Sequence, residues 1–307
     1  MMAIYPLCIP TPRIMRFRSA TRCLLLLLIV NAAQGAVDAT DAEGRHISLP
    51  AAAKRIVALA PHIVENLATV GALDTIVGTV QFSDYPEPAK DILRLGSVGA
   101  ISLEGIVALE PDLVILWGSG TPPGLRAGIE RLGIPYFVDE IRSLEDLRAS
   151  LQALGTLTAH DENAALASRE LSTALMNMKA DRDRPETQIP GVFLQLWDQP
   201  LQSIGGEHLL NEVIERCGGR SITRRISGLA PQVSMELVLT EDPAIIIVES
   251  PAQGQHWTRY PQLQALREDR IIVVNPDLLH RPTLRLLQGM EAICKAVRDQ
   301  KNTPFAP

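Results

Sequence analysis

Aromatic residues are scarce in this chain of 307 residues: three Trp, four Tyr and five Phe make up 4% of it. A core with so few rings must be aliphatic, so each aromatic outside that core needs a reason. No run approaches the roughly 20 apolar residues that a membrane-spanning helix needs, and the stretch Leu24–Val30 is far shorter. Cationic blocks of the kind that hold nucleic acid or anionic membranes are absent too, with a formal net charge of −6. P-loop, H-E-x-x-H, G-x-S-x-G and C-x-x-C patterns do not occur, which removes the common signatures of nucleotide, zinc, serine and dithiol enzymes. Gly118-Ser-Gly-Thr-Pro-Pro-Gly124 has the wrong glycine spacing for a dinucleotide turn, and two prolines stand where a phosphate-cradling helix would begin. The remainder is ordinary: 46% apolar and 21% charged residues suit a folded chain with room for two domains.

The first 35 residues read as a leader. Arg13, Arg16, Arg18 and Arg22 precede the apolar Leu24–Val30, and Ala33-Gln34-Gly35 offers small residues for cleavage before Ala36. Met15 is a second candidate start. Losing the leader removes four Arg and no acid, so the net charge moves from −6 to about −10. An exported, periplasmic protein is expected. Of four cysteines, Cys8 and Cys23 leave with the leader, and Cys217 and Cys294 remain. An oxidising compartment favours a disulfide between them over two buried thiols. Such a bond would add roughly 4–5 kcal/mol by chain entropy.

One stretch is repeated. Ser102-Leu-Glu-Gly-Ile-Val-Ala-Leu-Glu-Pro-Asp-Leu-Val-Ile115 has an echo 132 residues on, where Ser234-Met-Glu begins a segment running through Asp242-Pro243 into Ala244-Ile-Ile-Ile247. Each copy reads as a capped helix start, an acidic-Pro turn and an apolar strand. Strands are predicted at 55–59, 75–80, 113–117 and 135–138, and again at 191–197, 244–249 and 271–274. Helices fall between them, and a terminal helix is predicted from Thr283 to Arg298. This alternation predicts an α/β fold of two Rossmann-like lobes, each with a parallel sheet. The expected division is a leader over 1–35, an N-terminal lobe over 36–141, a helical segment over 142–184 and a C-terminal lobe over 185–307. Within that segment Leu171, Leu175 and Met178 share one helix face, and nothing interrupts the pattern from Asp161 until Pro185. One stiff connecting helix of about twenty residues is predicted.

Ligands of such sheets bind beyond the strand C-termini. Phe82, Tyr85, Trp117 and Trp197 all fall there, either to contact a bulky apolar ligand or to plug the lobe interface. Arg281, four residues after Asp277, is either a polar anchor or a surface ion pair. The six histidines show no local ligand spacing; His62, His208 and His280 follow strands and could reach a cleft, although solvated or capping roles suit them better. No metal site, cofactor or covalent chemistry is expected, and neither is nucleic acid.

Several motifs, in order over roughly residues 53–298, resemble the periplasmic cobalamin-binding proteins of ABC importers. They are Arg55-Ile-Val-Ala-Leu-Ala-Pro61, Phe82-Ser-Asp-Tyr-Pro86, Leu103–Val114, Pro231-Gln-Val-Ser-Met-Glu236, Cys217-Gly-Gly219 and the Asp277–Arg285 segment. The resemblance implies a class III periplasmic binding protein: two lobes bridged by one long helix, opening little on binding. It implies cobalamin contacts at Phe82 (where tyrosine is usual), Trp117 and Trp197, and along Asp277, Leu278, Leu279, His280 and Arg281, with Tyr85 added from its place beyond a strand end. It further implies a Cys217–Cys294 disulfide and a glutamate on each lobe, Glu104 and Glu236, docking onto arginines of a two-fold membrane permease. A monomeric carrier is implied. Capping of the two helix starts is the alternative role for these glutamates. The chain departs from the pattern at Gly99 and Ala230, where tryptophan is usual, and at Leu278 and Leu279, where an aromatic pair is usual. Siderophore and haem binders share the scaffold and remain the alternative, with Tyr85 and His62 as their candidate iron ligands. A metal-dependent enzyme on a two-lobed α/β fold is the alternative of another class.

Overall fold

The computed structural model describes residues 35–97, 99–178, 185 and 188–298. The leader expected over 1–35 therefore lies, apart from Gly35, outside the described residues. Among these residues no helix is long and apolar enough to cross a membrane.

The first element is an antiparallel hairpin, β1 (Val37–Thr40) with β2 (His46–Leu49). Its turn is organised by Asp41, whose Oδ1 accepts from the backbone N–H groups of Glu43 and Arg45. Next come β3 (Ile56–Ala58), α1 (Pro61–Thr69), β4 (Ile76–Thr79) and a two-residue hairpin, β5 (Gly96–Ser97) with β6 (Ala100–Ile101). They are followed by α2 (Leu103–Ala108), β7 (Leu113–Trp117), α3 (Pro123–Arg131) and β8 (Tyr136–Asp139). Parallel pairing sets the order β4-β3-β7-β8.

The helical segment is two helices, α4 (Leu144–Thr158) and α5 (Asp161–Asn177). Ala159 between them is left-handed, with φ 58°. The segment from Leu144 therefore turns back on itself before α5 begins. Positions 179–184, the end of the predicted connecting helix, lie outside the described residues.

The second half contains β9 (Gly191–Asp198), β10 (Leu201–Ser203), α6 (Leu209–Arg216), β11 (Arg220–Ser221), α7 (Met235–Glu241), β12 (Ile245–Val248), α8 (Pro251–Trp257), α9 (Gln264–Arg267), β13 (Ile271–Val273) and α10 (Leu286–Arg298). Here β11, β9, β12 and β13 are parallel and follow the same 2-1-3-4 order as the first sheet. β10 folds back antiparallel on the end of β9.

Alternation along the strands splits each sheet's side chains between two cores. Ile56, Ala58, Leu113 and Ile115 face the core shared with α1, α4 and α5, while Val57, Leu59, Val114 and Leu116 face α2 and α3. In the second sheet Val192, Leu194, Ile245 and Ile247 face α6 and α10, and Phe193, Ile246 and Val248 face α7 and α8. Trp257 closes α8 and is buried, its Nε1–H donating to Gln195 Oε1 at 2.7 Å. A disulfide joins Cys217, just after α6, to Cys294 in α10. α10 starts three residues later than predicted because the preceding turn is drawn into contacts with the first lobe.

Candidate functional site

In both sheets the chain reverses direction of travel between the first and third strands, β3 and β7 in one, β9 and β12 in the other. Loops leaving such neighbouring strands diverge and open a crevice. A cavity of about 400 Å³ lies at these strand ends and takes residues from both lobes. The first lobe supplies His62, from the start of α1, with Trp117 and Ser119 from the end of β7. The second supplies Leu196 from β9, Leu229 and Ala230 from the loop before α7, and Leu279, His280 and Pro282 from the turn before α10. Leu229 is brought in by a close backbone approach: Gly205 N–H donates to Leu229 O at 2.8 Å, and a Cβ on Gly205 would stand 2.0 Å from Gly228 O. Glycine is required there.

The wall is mainly apolar, and its polar points are imidazoles, Ser119 and one carboxylate, Glu140. Trp117 meets His62 edge-on, ring centroids 5.7 Å apart. His62 is buried, and desolvation, helped by nearby Arg281, lowers its pKa to about 3. Its Nε2 faces Asp139 Oδ2 at 3.7 Å, too far for a hydrogen bond, and neither atom has another partner. Burial raises Asp139 to about 7. Geometry alone would make this an ion pair; desolvation of both groups instead leaves each neutral near pH 6. His208, lowered to about 4 by burial and then by His280, caps α6 with Nδ1 accepting from Leu210 N–H at 3.1 Å. His280 Nε2 donates to Glu249 Oε1.

Sequence reasoning missed the strongest contact between the lobes. Glu65 of α1 is 3% exposed. It accepts from Arg281 Nη1 (2.8 Å), Arg285 Nη1 (3.2 Å) and Thr283 Oγ1 (3.1 Å). Beside it Asn66 Nδ2 donates to Pro282 O at 3.2 Å. The signal was an acid and an amide inside the apolar run Ile63-Val-Glu-Asn-Leu67, because buried charge demands partners.

Of the residues singled out from the sequence, Trp117, Leu279 and His280 line the cavity together. Arg281 forms the ion pair with Asp277 that its spacing suggested, and further pairs besides. Its side chain, 11% exposed, keeps the pair with Asp277 and also bridges to Glu65 and Asp84. Leu278 is half-buried and outside the cavity wall. Tyr85 is exposed and lies under the Arg285 guanidinium at 4.1 Å from the ring centroid, a cation–π contact across the lobes. Phe82 is 72% exposed with φ 66°, and Trp197, next to the lining residue Leu196, is 61% exposed. A large left-handed aromatic in solvent is a strained position, and such strain concentrates where ligands bind. Glu104 and Glu236 are exposed in the first turns of α2 and α7. His62, assigned a solvated or capping role from the sequence, is instead buried at the cavity because α1 begins inside the crevice.

Residues 56–277 match the periplasmic binding protein family. The chain belongs to that family. The vitamin B12-binding protein of Vibrio campbellii is 31% identical over 246 residues, covering 79% of this chain and 89% of the relative. That of Yersinia pestis is 33% identical over 257 residues, covering 81% and 88%. The crystal structure of the periplasmic vitamin B12 binding protein of Vibrio cholerae superposes with a TM-score of 0.74 at 30% identity, covering 81% of this chain and 98% of that one. A periplasmic heme binding protein from Pseudomonas aeruginosa superposes with a TM-score of 0.70 at 23% identity, covering 81% and 94%, which shows a shared fold. As a periplasmic binding protein, this chain has two positions, Gly99 and Ala230, that lack the bulk expected from the resemblance. Ala230 lines the cavity, and a Cβ on Gly99 would meet nothing within 4 Å.

Proposed function

We propose that this chain is an exported substrate-binding protein that captures cobalamin or a related corrinoid between its lobes. It hands the cargo to the permease of an ABC importer and performs no covalent chemistry. The observation that carries this reading is the cavity wall, built by both lobes mainly from Trp117, Leu196, Leu229, Leu279 and imidazoles, with one carboxylate, Glu140, and no Lys or Arg among its lining residues. Such a surface suits a large, flat ligand edged with neutral amides. Anionic siderophores and haem propionates want a free cation, whereas Arg281 is committed to three carboxylates. An enzyme built on a bound metal needs several ligating side chains together, and no group of three gathers among the described residues. The names of the relatives support the same ligand. In this reading α5 is the stiff connection, with Leu175 packing on cores of both lobes, and Phe82 and Trp197 grip the cargo at the cleft mouth.

Calorimetric titration with cyanocobalamin should give tight binding at a stoichiometry of one. No heat with cyanocobalamin, alongside saturable binding of haem or a ferric siderophore, would reverse the ligand assignment.

A further inference from the structure

Resting on the corrinoid reading, we infer that His280 is a metal ligand for cargo: its Nδ1 binds the central metal of a corrinoid whose lower axial position is open. The three imidazoles at the cavity differ in what they can offer. His208 accepts a backbone N–H at Nδ1, so the neutral ring carries its proton on Nε2 and presents a donor. His62 is 5% exposed with Nε2 turned to Asp139. His280 is different. Its Nε2 meets the Glu249 carboxylate, an acceptor only, so in the neutral ring that nitrogen holds the proton and the lone pair lies on Nδ1. Nδ1 has no hydrogen-bond partner among the described residues, and the ring lines the cavity with 37% of its side chain exposed.

An imidazole whose far nitrogen donates to a carboxylate is held in one tautomer, aimed, and made more basic, which is the arrangement found behind metal-ligating histidines. Glu249 stands where it can do this, at the end of β12, its side chain 16% exposed. No three His, Cys, Asp or Glu side chains converge among the described residues. One imidazole can only complete the coordination of a metal whose other ligands arrive with the cargo. Cobalt in a corrin without its nucleotide base meets that description; in complete cobalamin the cargo's own base fills the position. The consequence is a wider cargo class, with base-free corrinoids held by exchange of an axial water for His280 Nδ1.

The test is visible absorption of aquocyanocobinamide on addition of the full mature chain, with cyanocobalamin and hemin run in parallel. The wild type should move the cobinamide bands to those of an imidazole-ligated corrinoid. His280→Ala should abolish that shift, and Glu249→Gln should weaken cobinamide binding about 10-fold or more. Far-UV circular dichroism and melting of both variants establish that they fold. Cyanocobalamin binding without a cobinamide shift, or a shift unchanged in His280→Ala, overturns the inference and leaves the corrinoid reading standing. A shift with hemin alone, lost in His280→Ala, overturns both the inference and the corrinoid reading.

Discussion

Asp139 faces His62 behind the cavity wall, and the two are displaced in opposite directions from their ordinary pKa values, Asp139 from 3.8 up to about 7 and His62 from 6.5 down to about 3. Between pH 3.8 and 6.5 the folded pair holds one proton, on Asp139, and the unfolded pair also holds one, on His62. Equal proton counts mean no pH slope from the pair. His62→Gln removes that balance. Folded Asp139 then binds more proton than unfolded Asp139, so stability is fullest below pH 3.8 and is lost as pH rises through about 7. Asp139→Asn does the reverse, with stability present above pH 6.5 and lost as pH falls toward about 3. Urea unfolding at pH 4.5 and 6.5 should show His62→Gln losing, and Asp139→Asn gaining, about 1.4 kcal/mol per pH unit relative to wild type. Profiles parallel to wild type in both variants would show that burial does not neutralise the pair. None of this was legible beforehand: proximity and burial of two residues 77 positions apart depend on β8 ending where α1 begins.

At the scale of elements, the strands were the most legible part, since each apolar run between turn residues has no alternative to the sheet interior. Leu113–Trp117 was placed to the residue, and the capped starts of α2 and α7 were visible in their serines, whose Oγ atoms accept from Gly105 and Leu237 N–H. The β1–β2 hairpin was hidden because its turn chemistry looked like a loop. The end of α4 was hidden because alanine is a strong helix former and gives no stop signal. Ala159 nevertheless adopts φ 58°, its N–H closing on Gly155 and Thr156 carbonyls, a helix ending that glycine makes without a Cβ penalty. Ala159→Gly should therefore raise stability by about 0.5–1 kcal/mol, and Ala159→Val should lower it by more than that. Denaturant midpoints at constant slope measure both. Loss of stability in the glycine variant would mean that the left-handed turn is not the conformation held in solution.

Across the whole molecule the repeat noticed in the sequence becomes two sheets of identical strand order, with α2–β7 and α7–β12 as equivalent units. Each unit presents one exposed carboxylate in its first helical turn, Glu104 and Glu236. Capping does not need them, because Ser102 and Ser234 already satisfy the helix starts at 3.0 and 3.1 Å. What remains for a carboxylate there is a dipole interaction of about 0.5 kcal/mol, weakened by salt. Under the proposed import role, placement on both lobes would suit docking onto a two-fold permease, and exposed charge acts on partner encounter more than on fold. The Glu65 contacts to Arg281, Arg285 and Thr283 tie the lobes together independently of either glutamate. Reversing both charges, Glu104→Arg with Glu236→Arg, should abolish corrinoid-dependent uptake in cells carrying the importer. Cyanocobalamin affinity of the purified double variant should stay within about twofold of wild type, and its unfolding free energy should change by less than about 1 kcal/mol. Each single reversal should leave intermediate uptake if both glutamates are docking points. Uptake that persists in the double variant would return both glutamates to the role of helix-start charges, and an equal fall in affinity would place them in ligand capture instead.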